Sequence, residues 1–343
     1  MKRFLCILLL ISLLCGCRPQ TAVGKQVIVT GIAVNDRFTL SIQAVEALKT
    51  AGSLAEQSNN ATAVYTANGA SVAAALQGFL NEAGKRTYIL HNKIIVLGWD
   101  FCRQNSVFEA LEYFMRNHEG RAPVELLVCR GDAAALLSIT TGSDAIPAEY
   151  VAEQLREGER YARCVTAQLL DAERAYSGMY DLALPLMSVE NGTPKLQGTA
   201  LFCDGRLVGE LSADESVGLA LAAGESDYCL YTAGGVSLRL ERIRTTVSWD
   251  DETHCRVAVS AVARVLEKNT YADAAFLQNA EQQLAAQITT ALNTAARCGS
   301  DPLGLARRAA AQFSRPQEVT DAWLSQAAFS VSVALAQTDQ GFL

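Results

Sequence analysis

Residues 257–265 read Val-Ala-Val-Ser-Ala-Val-Ala-Arg-Val, with Val257, Val259, Ala261, Ala263 and Val265 on one side of an extended chain. Such alternation is the period of a β-strand with one buried face, because successive side chains of a strand point to opposite sides. The pattern recurs on either side of it: Val236, Leu238 and Leu240 alternate with polar residues, and Ala327, Phe329, Val331, Val333 and Leu335 form a third such strand. Three one-faced strands need a cover. Between the second and third, Leu284, Ile288, Leu292 and Ala295 recur at helical spacing, and Asp301-Pro302 starts another helix with Asp as cap and Pro at its first position. Residues 233–343 are therefore predicted as an α+β domain, an antiparallel or mixed sheet with long helices on one face.

Upstream, residues 27–34 and 38–45 are β-rich runs separated by Asn35-Asp36-Arg37, a hairpin with Asn-Asp turn chemistry. Val72, Leu76, Phe79 and Leu80 lie at helical spacing, and Asn81-Glu82-Ala83-Gly84 closes that helix before a strand predicted at 87–97. Ser106 precedes a second amphipathic helix carrying Val107, Phe108, Leu111 and Phe114. A strand follows at 124–129, Asp132 caps 133–137, and Pro147 opens a helix running towards Glu159. A further helical pattern contains Val165, Leu169 and Leu170. From Tyr180 the texture changes to short strands joined by the turns Asn191-Gly192 and Asp204-Gly205. Ser212 and Glu215 then form a capping box for a helix bearing Val217, Leu219 and Leu221, ended by Gly224. The predicted fold class is α+β in three domains, with mixed or antiparallel sheets each covered by helices. A leader at 1–16 precedes an N-terminal α+β domain at 17–178, a small middle domain at 179–232 and the C-terminal domain at 233–343.

A chain of 343 residues, half of them apolar and 19% charged, buries a sizeable core and is neither disordered nor a small disulfide-stapled protein. Its net charge is −7, and −9 once Lys2 and Arg3 leave with a leader. Such a balance argues against a nucleic-acid partner and against attraction of the whole molecule to anionic lipid, so membrane attachment requires an anchor. Met1-Lys2-Arg3 and the apolar run 4–14 supply a secretory signal too short to span a hydrocarbon core of ~30 Å. Leu14-Cys15-Gly16-Cys17 then resembles a bacterial lipobox, in which Cys17 becomes the acylated N-terminus. Cys15 is a poor rival, because cleavage before it leaves bulky Leu14 where signal peptidases need a small residue. Acyl chains contribute ~0.8 kcal/mol per buried methylene, enough for a multiply acylated chain to hold a globule at a bilayer.

Chemistry-bearing residues are sparse. Seven cysteines remain after the leader and Cys17, with no CxxC spacing, and Cys102, Cys129 and Cys203 sit in or beside apolar stretches that suit small buried hydrophobes. An odd number leaves at least one thiol unpaired, while the compartment permits one disulfide. His91, His118 and His254 are scattered, so no metal site or other cofactor site is expected. Asp250-Asp251-Glu252 reads as a solvated turn whose side chains diverge, a weak Ca²⁺ site being the outside alternative. Arg116 and Arg121 bracket 117–120, where they either meet a carboxylate or cap helix carbonyls. GxSxG, P-loop and GxGxxG motifs are absent from the sequence, and the chain is expected to be no enzyme.

Three stretches carry a family resemblance: Leu90-His91-Asn92-Lys93-Ile94-Ile95-Val96-Leu97-Gly98, residues 110–121 from Ala110 through Arg116 to Arg121, and Leu126-Leu127-Val128-Cys129-Arg130-Gly131-Asp132-Ala133. Together with 198–209, Asp301-Pro302-Leu303-Gly304-Leu305, Trp323 and the polar end at 337–341, they resemble the Ger(x)C spore-germination lipoproteins, in the right order and over most of the mature chain. The resemblance implies a three-domain α+β protein that serves as the non-enzymatic C subunit of a nutrient germinant receptor. It also implies a lipid anchor on the outer face of the spore inner membrane, and A-type and multispanning B-type membrane subunits as partners. A lipid-anchored solute-binding protein serving a transporter is the alternative, and would show two similar lobes around a deep cleft. An extracytoplasmic hydrolase, its triad assembled only in space, is a third reading.

Overall fold

The computed structural model describes residues 26–36, 38–45, 62–83, 86–117, 123–141, 146–251, 253–268, 274–313 and 323–337. The chain enters through the hairpin β1 (Gln26–Asp36) and β2 (Thr39–Val45), with β3 (Thr62–Asn68) continuing it antiparallel. Then come α1 (Val72–Ala83), β4 (Arg86–Tyr88), β5 (Ile94–Gly98), α2 (Trp99–Gln104), α3 (Val107–Arg116), β6 (Glu125–Cys129), α4 (Pro147–Arg160) and α5 (Leu169–Tyr176). Strands β7 (Ala183–Glu190), β8 (Thr193–Cys203) and β9 (Arg206–Ser212) form a meander. The nine strands make one mixed sheet of order β3-β2-β1-β5-β6-β7-β8-β9, with β4 pairing beside β1. Within it β1, β5, β6 and β7 run parallel.

This sheet is closed on both sides. Ile95, Leu97, Leu126 and Val128 point to one core with α1, α2, α3 and α5. Ile94, Val96, Leu127 and Cys129 point the other way, to a second core with α4 and the 3₁₀ turn Ala133–Leu137. Strands buried on both faces read as continuous apolar runs, and β5 (Ile-Ile-Val-Leu-Gly) is one.

The chain continues through α6 (Ala213–Ala223), β10 (Tyr228–Ala233), β11 (Val236–Trp249), β12 (His254–Lys268), α7 (Ala274–Arg297), α8 (Leu305–Gln312) and β13 (Ala328–Gln337). Four of these form a second mixed sheet, β10-β11-β12-β13, in which β13 runs parallel to β12. Val257, Val259, Ala261 and Ala263 face a core with α6, α7 and α8, as the alternation predicts. Helices α6 and α7 also touch the larger sheet, where Leu219, Ala291 and Ala295 pack with Ala183, Leu201 and Leu211. Gly218 permits that crossing: a Cβ there would lie 2.4 Å from the carbonyl oxygen of Gln287. The observed architecture is thus α+β with two mixed sheets. Of the segment 179–232, β7 to β9 bond onto the larger sheet and β10 onto the smaller.

Several predicted elements are redrawn. The strand expected at 87–97 is split by a 3₁₀ turn, Ile89–His91. Between its pairings with the two pieces, β1 advances from Ile28 to Gly31 while its partner advances from Tyr88 to Ile94, and the surplus residues coil. Val165 lies outside a helix, since α5 begins only at Leu169. Pro302 is not a first helical residue. Asp301-Pro302-Leu303-Gly304 forms a turn closed by the Gly304 N–H on the Asp301 carbonyl (3.1 Å), and α8 starts after Gly304 in the left-handed conformation. The capping role of Asp301 does hold, for its carboxylate accepts from the N–H groups of Leu305 (2.7 Å) and Ala306 (2.8 Å). The capping box of Ser212 and Glu215 and the left-handed Gly224 at the end of α6 are as expected.

Candidate functional site

In open α/β sheets the carboxyl ends of parallel strands are where ligands gather. Here those ends bring together Asn35 in the last residues of β1, Trp99 after β5 and the run Arg130-Gly131-Asp132 after β6. Asn35 Nδ2 donates to Asp132 Oδ1 (2.7 Å), Asn35 Oδ1 accepts from the Ala133 N–H (2.7 Å), and Asp132 Oδ1 caps the Ala134 N–H (3.0 Å). The Arg130 guanidinium stacks 4.4 Å from the Trp99 ring centroid and pairs with Glu210 of β9. These groups satisfy one another, so the arrangement fastens strand ends together. An ion pair as exposed as Arg130–Glu210 contributes about 0–1 kcal/mol.

A second cluster joins the larger sheet to the helices that cover the smaller one. Asp181 and Asp301 exchange backbone and carboxylate contacts: the Asp181 N–H donates to the Asp301 carbonyl (3.1 Å) and the Asp301 N–H to Asp181 Oδ2 (2.9 Å). Ser300 Oγ donates to the Phe202 carbonyl (2.7 Å), and Thr294 Oγ1 to Glu215 Oε1 (2.7 Å). Burial pushes the Asp301 carboxyl above its usual range, the capped N–H groups pulling against it. Sequence reasoning found Asp301 as a helix cap and missed its role as a joint, which depends on a partner 120 residues away.

It also missed Gln43, fully buried in β2. Gln43 Oε1 accepts from Thr30 Oγ1 (2.9 Å) and the Ala148 N–H (3.1 Å), while its Nε2 donates to the Leu137 carbonyl (2.6 Å). One amide thus ties β1, the 3₁₀ turn and the start of α4. The available signal was an amide at an inward position between Ile42 and Ala44.

The residues singled out from sequence are not brought together. Cys17 lies outside the described residues, as do Cys15, His118, Arg121 and Glu252. His91 is exposed on its 3₁₀ turn with its ring 5.6 Å from that of Tyr88. His254 opens β12 and its Nδ1 lies 2.8 Å from Asp251 Oδ2. The same carboxylate accepts from the N–H groups of Thr253 and His254, which hold it well below the usual range. Asp250 pairs with Arg256 (2.7 Å), so that turn is a locally bonded hairpin end. Arg116 meets Glu112 one turn back (2.8 Å).

All seven described cysteines are thiols, with no disulfide among them. Burial pushes Cys102, Cys129, Cys164 and Cys229 up to about 12 and Cys255 to about 11, so these sulfurs stay protonated and unreactive at neutral pH. Among the described residues no group of three or more His, Cys, Asp or Glu is placed to hold a metal ion, and no helix is long and apolar enough to cross a membrane.

What the geometry defines is a two-sheet α+β scaffold whose polar clusters act as fasteners. Comparison with known proteins supplies the family. The family model "Spore germination protein N-terminal domain" matches residues 24–189, and "Spore germination B3/GerAC like, C-terminal" matches residues 197–338. The chain belongs to the Ger(x)C family of spore germination proteins. The crystal structure of the GerBC protein is similar with a TM-score of 0.59 at 17% identity, over 91% of this chain and 97% of that one, a likeness of fold. No curated protein sequence matches the chain.

Proposed function

We propose that this chain is the C subunit of a nutrient germinant receptor, held by an acylated Cys17 at the outer face of the spore inner membrane. There it works by contact with an A-type and a multispanning B-type subunit. The observation that carries this reading is the ordered match of both halves to spore germination families, residues 24–189 and 197–338. The signal-like run before Cys17 supports the anchor. Side-chain geometry agrees with a contact role, since the polar clusters that the fold assembles are spent on internal fastening and the buried thiols stay protonated. The tether keeps local concentration high enough for individually weak contacts to persist. The solute-capture alternative expects two similar lobes, whereas among the described residues the two sheets have nine and four strands.

The test is genetic and then biochemical. Spores lacking the gene are expected to lose their response to at least one nutrient, and Cys17→Ala is expected to release the chain from membranes. Normal germination of the deletion strain in every nutrient overturns the receptor role. Full membrane retention of Cys17→Ala overturns the anchor.

A further inference from the structure

The outer face of the second sheet is open. On β13 its residues are Ala328, Ser330, Ser332, Ala334 and Ala336, all exposed. The strand registers set Ala258 and Ser260 of β12 beside them and Thr246 and Arg244 of β11 beyond. Helices α6, α7 and α8 all lie on the opposite side, with the inward residues. At the border, Arg160 and Tyr161 from the end of α4 touch the outward Tyr228 of β10, and Arg239 of β11 also lies over that ring. The result is a flat floor of small side chains.

Arginines border that floor. Arg256 stands towards one end, and Arg239 and Arg264 face each other directly across β11 and β12 towards the other. Between them a bulge, with Arg242 at φ +55°, places Arg242 close to Arg244. Two exposed leucines share the Arg239 end: Leu230 is the cross-strand partner of Arg239, and Leu266 follows Arg264 by two residues.

We propose that this outer face rests on the headgroups of an anionic bilayer. The inference deepens the membrane reading above and rests on it for delivery of the chain to the bilayer. A net charge of −7 predicts repulsion of the molecule as a whole, but at physiological salt charges are screened beyond ~8 Å, so a face in contact responds to its own groups. Of the described carboxylates of this region, Glu241 is engaged with Arg239, Asp250 with Arg256, and Asp251 with two backbone N–H groups. Arg242 and Arg244 are exposed and have no ion-pair partner among the described residues. Guanidinium groups match phosphate in geometry, and the neighbouring Arg242 and Arg244 of β11 fit a field of headgroups better than a single acidic side chain. Leucines beside basic residues suit the boundary between headgroups and acyl chains.

The experiment uses the full native chain on vesicles of phosphatidylcholine alone or with about one third phosphatidylglycerol. Phenylglyoxal modifies accessible guanidinium groups, and peptide mass spectrometry reads each site. Labelling of Arg242 and Arg244 is expected to fall about threefold or more on the anionic vesicles relative to the neutral ones, and to recover in about 0.5 M salt. Arg103, exposed on α2 beside the larger sheet, serves as the control and should be labelled equally on both. Equal labelling of Arg242 and Arg244 on the two vesicles overturns the inference. So does protection by soluble polyglutamate that matches protection by vesicles, which assigns the face to an acidic protein. Flotation in the same samples reports the tether separately. A chain that floats on neutral vesicles but shows no protection on anionic ones loses this inference and keeps its anchor, while one that fails to float on neutral vesicles loses the anchor and leaves the labelling to decide the face.

Discussion

Both sheets contain neighbouring parallel strands, yet one pair is sealed and the other is half open. Every residue of β5 and β6 is buried, whereas along β13 exposed residues alternate with half-buried ones. Side-chain pattern makes the difference, not strand direction: Ile-Ile-Val-Leu-Gly has large apolar groups on both sides, and Ala-Phe-Ser-Val-Ser-Val-Ala-Leu-Ala-Gln sets only small Ala or Ser at every second position, which lose little by staying in water. Parallel pairing is usually covered on both faces, and β12–β13 shows that a mixed sheet tolerates it with one face bare. The largest expected effect lies on the sealed side. Leu127→Ala removes a fully buried side chain and should cost about 3–4 kcal/mol in urea unfolding, whereas Val331→Ala on β13 should cost about 1 kcal/mol. Equal losses would break the comparison.

The sealed side also holds a carboxyl that the open side would leave in water. Glu125 is 2% exposed where β6 meets α4, with Gln168 Nε2 donating to its Oε1 (3.2 Å) and Arg156 3.7 Å away. Burial raises its pKa, and the Gln168 bond and Arg156 only partly oppose that. A carboxyl raised on folding binds more protons in the native state than in the unfolded one across the interval between the two pKa values. Stability therefore falls as pH climbs from the ordinary carboxylate range through the raised value, and levels off above it. Asp301 and Glu225 are shifted the same way and contribute the same sign. Glu125→Gln should flatten part of this slope, read as a smaller gap between the urea midpoints at pH 5 and pH 7 than the wild type shows. An unchanged gap would assign the dependence to the other carboxyls.

What the sequence revealed and what it concealed follow the same divide. The alternation at 257–265 and 327–335 fixed the inward face of the second sheet, and local chemistry at Ser106, Asp132 and Ser212 placed caps that the structure contains. These signals live within a few residues of one another. Long-range features were illegible: β3 and β10 carry little pattern of their own and exist because a neighbour pairs with them. The joint between Asp181 and Asp301 and the Gln43 hub link segments far apart in the chain, so no window reveals them. Net charge concealed most. A total of −7 spoke against anionic lipid, while the register of β11 and β12 gathers five arginines on one side of the molecule.

The smallest expected effect on stability belongs to the open floor, and its smallness is what makes it informative. Ser332 is exposed on β13 with Ala258 beside it on β12, and no described residue accepts a bond from its hydroxyl. Ser332→Glu should leave urea stability within about 0.5 kcal/mol of wild type, as substitutions at open positions usually do. The same change puts a carboxylate in the middle of a face bordered by Arg244 and Arg256, where it either pairs with them or repels an anionic surface. A floor that touches nothing would let spores carrying Ser332→Glu germinate as wild type does. A face that works by contact predicts slower nutrient germination from a chain that is folded, abundant and unfolds at the wild-type midpoint.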